Sequence, residues 1–74
     1  MPSLEQVPVG RTTAIVDVPG DDDISLRLLE MGLTPGTSVT VVGVAPLGDP
    51  LELDVRGYRL SLRRREAALV AVAP

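Results

Sequence analysis

The spacing of apolar residues changes several times along the chain, and each change marks an element. Over Val9–Val18, "VGRTTAIVDV", residues Ala14, Val16 and Val18 alternate with Thr13, Ile15 and Asp17. A period of two predicts a strand, with Ile15 showing that the more polar face is partly covered. In "PGDDDISLRLLEMG" the period lengthens. Pro19-Gly20 breaks the strand, and Ile24, Leu28 and Met31 fall on one helical stripe. One of Asp21, Asp22 and Asp23 caps the free N–H groups of this helix. Asp23 and Arg27, four residues apart, are placed to support it.

Gly32 suits the left-handed residue just past the helix, with Leu33 folding back on its last turn. "LTPGT" then reads as a type II turn, Pro35 at its first corner and Gly36 at its second. A strand follows at once in "SVTVVGVA", where Gly43 marks a bulge or bend. After the proline-bounded loop "PLGDP", residues 46–50, two segments alternate strictly. Leu51, Leu53 and Val55 share one face; Tyr58, Leu60 and Leu62 share the matching face of the next. Gly57 joins them in a tight hairpin with two possible registers, Leu53 opposite Leu62 or opposite Leu60, and both keep the same faces inward. "RRREAAL" predicts one helical turn, and "LVAVA" a last short strand.

The sum is a mainly β fold, a small SH3-like β-barrel of about five strands with one α-helix inserted after the first strand. Closing so small a sheet on itself removes exposed edges. Residues 1–8, with two prolines and little pattern, are expected to form a loose arm before a domain spanning 9–74.

Composition narrows the chemistry. The 74 residues form one domain with a core that must be aliphatic, because Tyr58 is the only aromatic residue. Cysteine, histidine and lysine are all absent. That removes thiolate and Schiff-base chemistry, zinc–sulfur sites, and the commonest general base and transition-metal ligand. No enzyme activity, cofactor or catalytic residue is expected. The net charge of −3 and the lack of aromatic platforms argue against nucleic acid as partner. There is no apolar run of membrane-spanning length and no signal-peptide pattern, so a cytoplasmic location without membrane insertion is expected.

Three clusters carry candidate chemistry. The carboxylates at 21–23 read as a helix cap rather than a hard-cation site, so no metal is expected. Arg56, Arg59, Arg63, Arg64 and Arg65 place five of the seven basic residues within ten positions. They form either an outward face partly matched by Glu52, Asp54 and Glu66 or a docking surface. Leu47, at a loop tip between two prolines, either packs beneath its loop or meets a partner. Leu47, Arg59 and Arg63 together make the candidate partner-binding surface, an apolar anchor beside arginines that grip carboxylates. Tyr58 has inward parity but lies at the turn, where it is expected to cap the end of the barrel with its hydroxyl in water.

The stretch from Arg27 to Val72 resembles the FeoA family of ferrous-iron transport accessory proteins. "LLEMGLTPG", "APLGDP", "VRGYRLSLR" and "EAALVAV" occur in that family's order, and "TTAIVDVPGDDD" fits its first strand. The resemblance implies an SH3-like fold in the cytoplasm and docking on the cytoplasmic G-protein part of a FeoB-type ferrous-iron permease. The alternative it leaves is a regulatory or nucleic-acid-binding small barrel, such as the FeoA-like domain of an iron-dependent repressor.

Overall fold

The computed structural model describes residues 2–20 and 22–74. Five strands, β1 (Thr12–Asp17), β2 (Ser38–Val44), β3 (Leu51–Val55), β4 (Tyr58–Leu62) and β5 (Ala71–Val72), form one antiparallel sheet in the order β4-β3-β2-β1-β5. Helix α1 (Asp23–Glu30) follows β1, and the single turn α2 (Arg64–Ala67) follows β4. The mainly β fold with a helix after the first strand is as the sequence predicts. Its end strands, β4 and β5, do not pair with each other, so the curled sheet is not closed by hydrogen bonds. No helix among the described residues is long and apolar enough to cross a membrane.

The junction between α1 and β2 shows how a chain this short keeps its backbone groups satisfied. Gly32 N–H donates to Leu29 O at 3.0 Å and Leu33 N–H to Leu28 O at 3.2 Å, with Gly32 at φ 100°. This is the Schellman pattern, which satisfies carbonyls at the helix end and drives Leu33 fully into the core. Thr37 N–H then closes the Pro35-Gly36 turn onto Thr34 O at 3.1 Å. The same turn clamps β1: Ile15 N–H donates to Thr37 O at 2.9 Å, and Gly36 N–H to Ile15 O at 2.8 Å.

Three expectations change. In β1 the inward residue is Ile15, while Val16 is exposed. Pairing with β5 slips between Ile15 and Asp17, and the buried residues become Ile15 and Val18, three apart rather than two. On α1, Ile24 is exposed, and the buried stripe is Ser25 and Leu28, with Leu29 and Met31 half-buried beside it. Ser25 is small and its hydroxyl donates to Pro19 O at 2.9 Å, which draws the helix start against the end of β1.

The third change is at the N-terminal end. Residues 2–8 are not a loose arm. Leu4–Gln6 form a 3-10 turn, Leu4 is fully buried, and its N–H donates to Val70 O at 2.8 Å. Ser3 bridges Ala71 and Val72 N–H donates to Pro2 O at 2.9 Å, so this segment continues the sheet edge beside β5.

Elsewhere the pattern holds. Leu51, Leu53, Val55 and Leu62 are buried with Val39 and Val41 of β2, and a bulge lies between Val41 and Gly43. The hairpin takes the register that pairs Leu53 with Leu60, with Arg56-Gly57 as its turn. Both turn residues are left-handed, Arg56 at φ 53° and Gly57 at φ 84°, the conformation whose twist matches the strands. Arg56 takes this φ with its guanidinium bonded to Thr37 Oγ1 at 3.1 Å, while Asp54 Oδ1 accepts from Gly57 N–H at 3.1 Å.

Candidate functional site

The β2–β3 loop carries the most exposed large apolar side chain among the described residues. Ala45 N–H donates to Pro50 O at 3.0 Å and Gly48 N–H to Ala45 O at 2.8 Å, which closes the loop over four residues. Leu47 stands at its apex with 97% of its surface exposed. The reading in which Leu47 packs beneath the loop is therefore overturned: the turn points it outward, and nothing among the described residues covers it.

Arg64 braces this loop from the side. Its backbone N–H donates to Asp49 Oδ1 at 3.0 Å, and its side-chain Nε donates to Gly48 O. The register that sets Leu51 opposite Leu62 brings α2 beside the loop and makes this contact possible. Three consecutive arginines give no sequence sign of which one turns back on the loop. The bracing residue was visible only as one member of a basic run.

The three residues expected to form one surface are split by the structure. Leu47 and Arg63 lie at the end of the hairpin where β3 begins and β4 finishes. Arg59, exposed and opposite Asp54, lies toward the Arg56-Gly57 turn. Four residues of extended chain separate Arg59 from Arg63, about 13 Å along the strand. The expected matching of charges also differs. Glu66 is buried and pairs with Arg27 of α1, its other oxygen accepting from Arg63 N–H at 3.1 Å. Arg27 is thus engaged across the fold rather than with Asp23.

Near Arg59 lies an open groove of about 370 Å³ between the end of α1 and the hairpin turn. Met31 and Leu60 are its half-buried lining, with Arg56, Arg59 and Tyr58 exposed around them. Tyr58 is 74% exposed, so its ring borders this groove instead of covering the core.

The carboxylate cluster resolves into a cap. Asp22 Oδ1 accepts from Ser25 N–H at 2.8 Å, and this backbone hydrogen bond is the main reason its carboxyl titrates below the ordinary 3.8. Asp21 lies outside the described residues. Among the described residues no group of three or more Asp, Glu, His or Cys comes together as a metal would need.

The FeoA domain profile matches residues 3–74. An Fe(2+) transport protein A/Fe(2+) transporter FeoB fusion protein of Porphyromonas gingivalis is 41% identical over 69 residues, covering 93% of this chain and 8% of that much longer one. The solution structure of a FeoA-like protein from Clostridium acetobutylicum superposes with a TM-score of 0.90 at 32% identity, over 96% of this chain and 83% of that one. The crystal structure of Stenotrophomonas maltophilia FeoA, described as a prokaryotic SH3 domain protein and solved with zinc, gives 0.84 at 31% identity, over 99% and 91%. Sequence and fold agree along almost the whole chain, which belongs to the FeoA family.

Proposed function

We propose that this chain is a non-enzymatic accessory domain of ferrous-iron uptake that docks, in the cytoplasm, on the G-protein part of a FeoB-type permease. The family is one of ferrous-iron transport, and a single observation carries the finer reading. In the Porphyromonas protein a region similar to this chain is covalently part of a chain that also contains FeoB. Fusion holds two modules at a high effective concentration, which serves modules that act on one another. The chain's own chemistry fits contact rather than catalysis, since it lacks cysteine, histidine and lysine. An accessory of this kind acts by binding one state of its partner better than another.

The docking surface is the loop end of the hairpin, with Leu47 as apolar anchor and Arg63 beside it, and Arg59 as a second contact further along β4. Arg64 holds the loop in place, so little ordering of the anchor remains to be done on binding.

The test is binding of the purified cytoplasmic domain of a FeoB-type permease to the immobilised 74-residue chain. Leu47→Asp and the pair Arg59→Glu with Arg63→Glu are each expected to weaken it about tenfold or more at unchanged melting temperature. Rising salt weakens the arginine contribution and spares that of Leu47. Absence of binding by the unmodified chain at about 100 μM, a concentration that detects even weak association, would sink the docking reading. Normal binding by both folded variants would sink the assigned surface.

A further inference from the structure

The free edge of the sheet and the groove beside it have a use that the permease reading does not assign. In the β3–β4 hairpin, Val55 and Tyr58 flank a two-residue turn and form a closely bonded pair. Alternation then makes Leu53–Leu60 and Leu51–Leu62 bonded pairs, and leaves Asp54–Arg59 and Glu52–Ser61 without hydrogen bonds between them. The backbone N–H and C=O groups of Arg59 and Ser61 therefore point away from β3, toward the open edge. Among the described residues nothing pairs with them.

The groove lies beside the Arg59 half of that edge, lined by Met31 and Leu60, with the exposed Glu30 on its helix side. Arg56 and Arg59 stand at the same place, and among the described residues neither has a carboxylate within ion-pair distance. Asp54, across from Arg59, is occupied with the Gly57 N–H.

We infer that β4 and this groove take an extended acidic segment of another protein, added to the sheet as one more strand. The backbone of the segment pairs with Arg59 and Ser61, as in recognition by strand addition. One apolar side chain of the segment enters the groove against Met31 and Leu60. Carboxylates flanking it meet Arg56 and Arg59, whose planar guanidinium groups suit bidentate pairing. The same charges reject a second copy of this chain, because pairing β4 with β4 would set arginines against arginines. The site lies at the far end of the hairpin from Leu47 and shares only Arg59 with the surface proposed for the permease.

The experiment is an NMR titration of the 15N-labelled 74-residue chain with a capped peptide alternating aspartate and valine around one central leucine. A second peptide has lysine in place of every aspartate. The acidic peptide is expected to shift the amides of Arg59 and Ser61 and to slow their hydrogen exchange about tenfold or more, the mark of new backbone pairing. The lysine peptide is expected to do neither. Ser61→Pro removes one edge N–H at a position where proline is tolerated, and Arg59→Glu reverses a charge at the edge while leaving the Arg56–Thr37 contact in place; each is expected to abolish the effect in a domain that stays folded. Shifts centred on residues 45–50, shifts at β4 without slowed exchange, equal response to the lysine peptide, or tighter binding of a short oligothymidylate would each overturn the inference. Absence of any peptide response in the unmodified chain, with normal permease binding, would sink this site alone.

Discussion

Arg27 of α1 and Glu66 of α2 form an ion pair across the fold, with Glu66 mostly buried and Arg27 mostly exposed. Glu66 also accepts the Arg63 N–H at the start of α2, so one carboxylate ties two helices together. Removing it strands more than removing its partner. Glu66→Ala is expected to cost about 2 kcal/mol because it frees both Arg27 and the Arg63 N–H. Arg27→Ala is expected to cost about half that, because Glu66 keeps the Arg63 N–H and truncation of the overlying arginine opens its other oxygen to water. Urea unfolding of both variants measures the order. An equal or reversed ranking would contradict the role given to Glu66.

Gly32 occupies φ 100°, and a Cβ there would meet nothing within 4 Å. The cost of Gly32→Ala is therefore backbone strain without a steric clash, about 1 kcal/mol. Because Leu33 is placed by the same motif, a change twice as large would mean that the Leu33 N–H bond to Leu28 is lost as well. Denaturant midpoints distinguish the two outcomes.

The Asp22 cap makes stability depend on acid. Its folded carboxyl titrates below 3.8, so in acid the unfolded chain binds its proton first. The cap's contribution is full above the unfolded value and is lost as pH falls through the lower, folded one. Asp22→Asn keeps an acceptor for Ser25 N–H but has no proton to gain. It is expected to flatten the fall in urea midpoint between about pH 5 and about pH 2. Asp22→Ala is expected to lower stability at neutral pH as well. Parallel pH profiles for Asn and the unmodified chain would show that Asp22 does not set the slope.

Arg64 is the residue on which presentation of Leu47 rests. Arg64→Ala keeps the backbone N–H bond to Asp49 and loses the side-chain bond to Gly48 O. Backbone order parameters at 46–49 are expected to fall, global stability to change by less than about 1 kcal/mol, and permease binding to weaken less than with Leu47→Asp. Unchanged loop order would remove the bracing role.

The sequence showed the parts of the fold that rest on local rules. A cap among residues 21–23, the glycine after α1, the Pro35-Gly36 turn, a bulge or bend at Gly43 and the inward face of β3 all follow from residue type and spacing, while the choice of Asp22 as the cap needed the structure. What it hid depends on distant partners. Ile15 and Val18 both point inward because β5 slips against β1, and alternation alone put Ile15 outside. Leu4 is an isolated apolar residue in a proline-flanked segment, so no period marked it as core. The hairpin register turned on Arg56 accepting a left-handed conformation, which only its contact with Thr37 explains. At the candidate site, Leu47, Arg59 and Arg63 could be nominated from the sequence. Their separation along the hairpin, and the bracing by Arg64, required the pairing of β3 with β4.

The pairing of residues 2–4 with residues 70–72 has a consequence for how this domain is joined to anything else. Entry and exit of the chain lie side by side at the β5 edge, the sheet's other end from β4. A tether attached before residue 2 or after residue 72 therefore leaves from the same corner, and the domain pivots about one point whichever way it is linked. Its hairpin, with Leu47 at one end and the groove at the other, is at the other end of the strand order. Such a domain can be carried at the front or the back of a larger chain without rebuilding either contact surface.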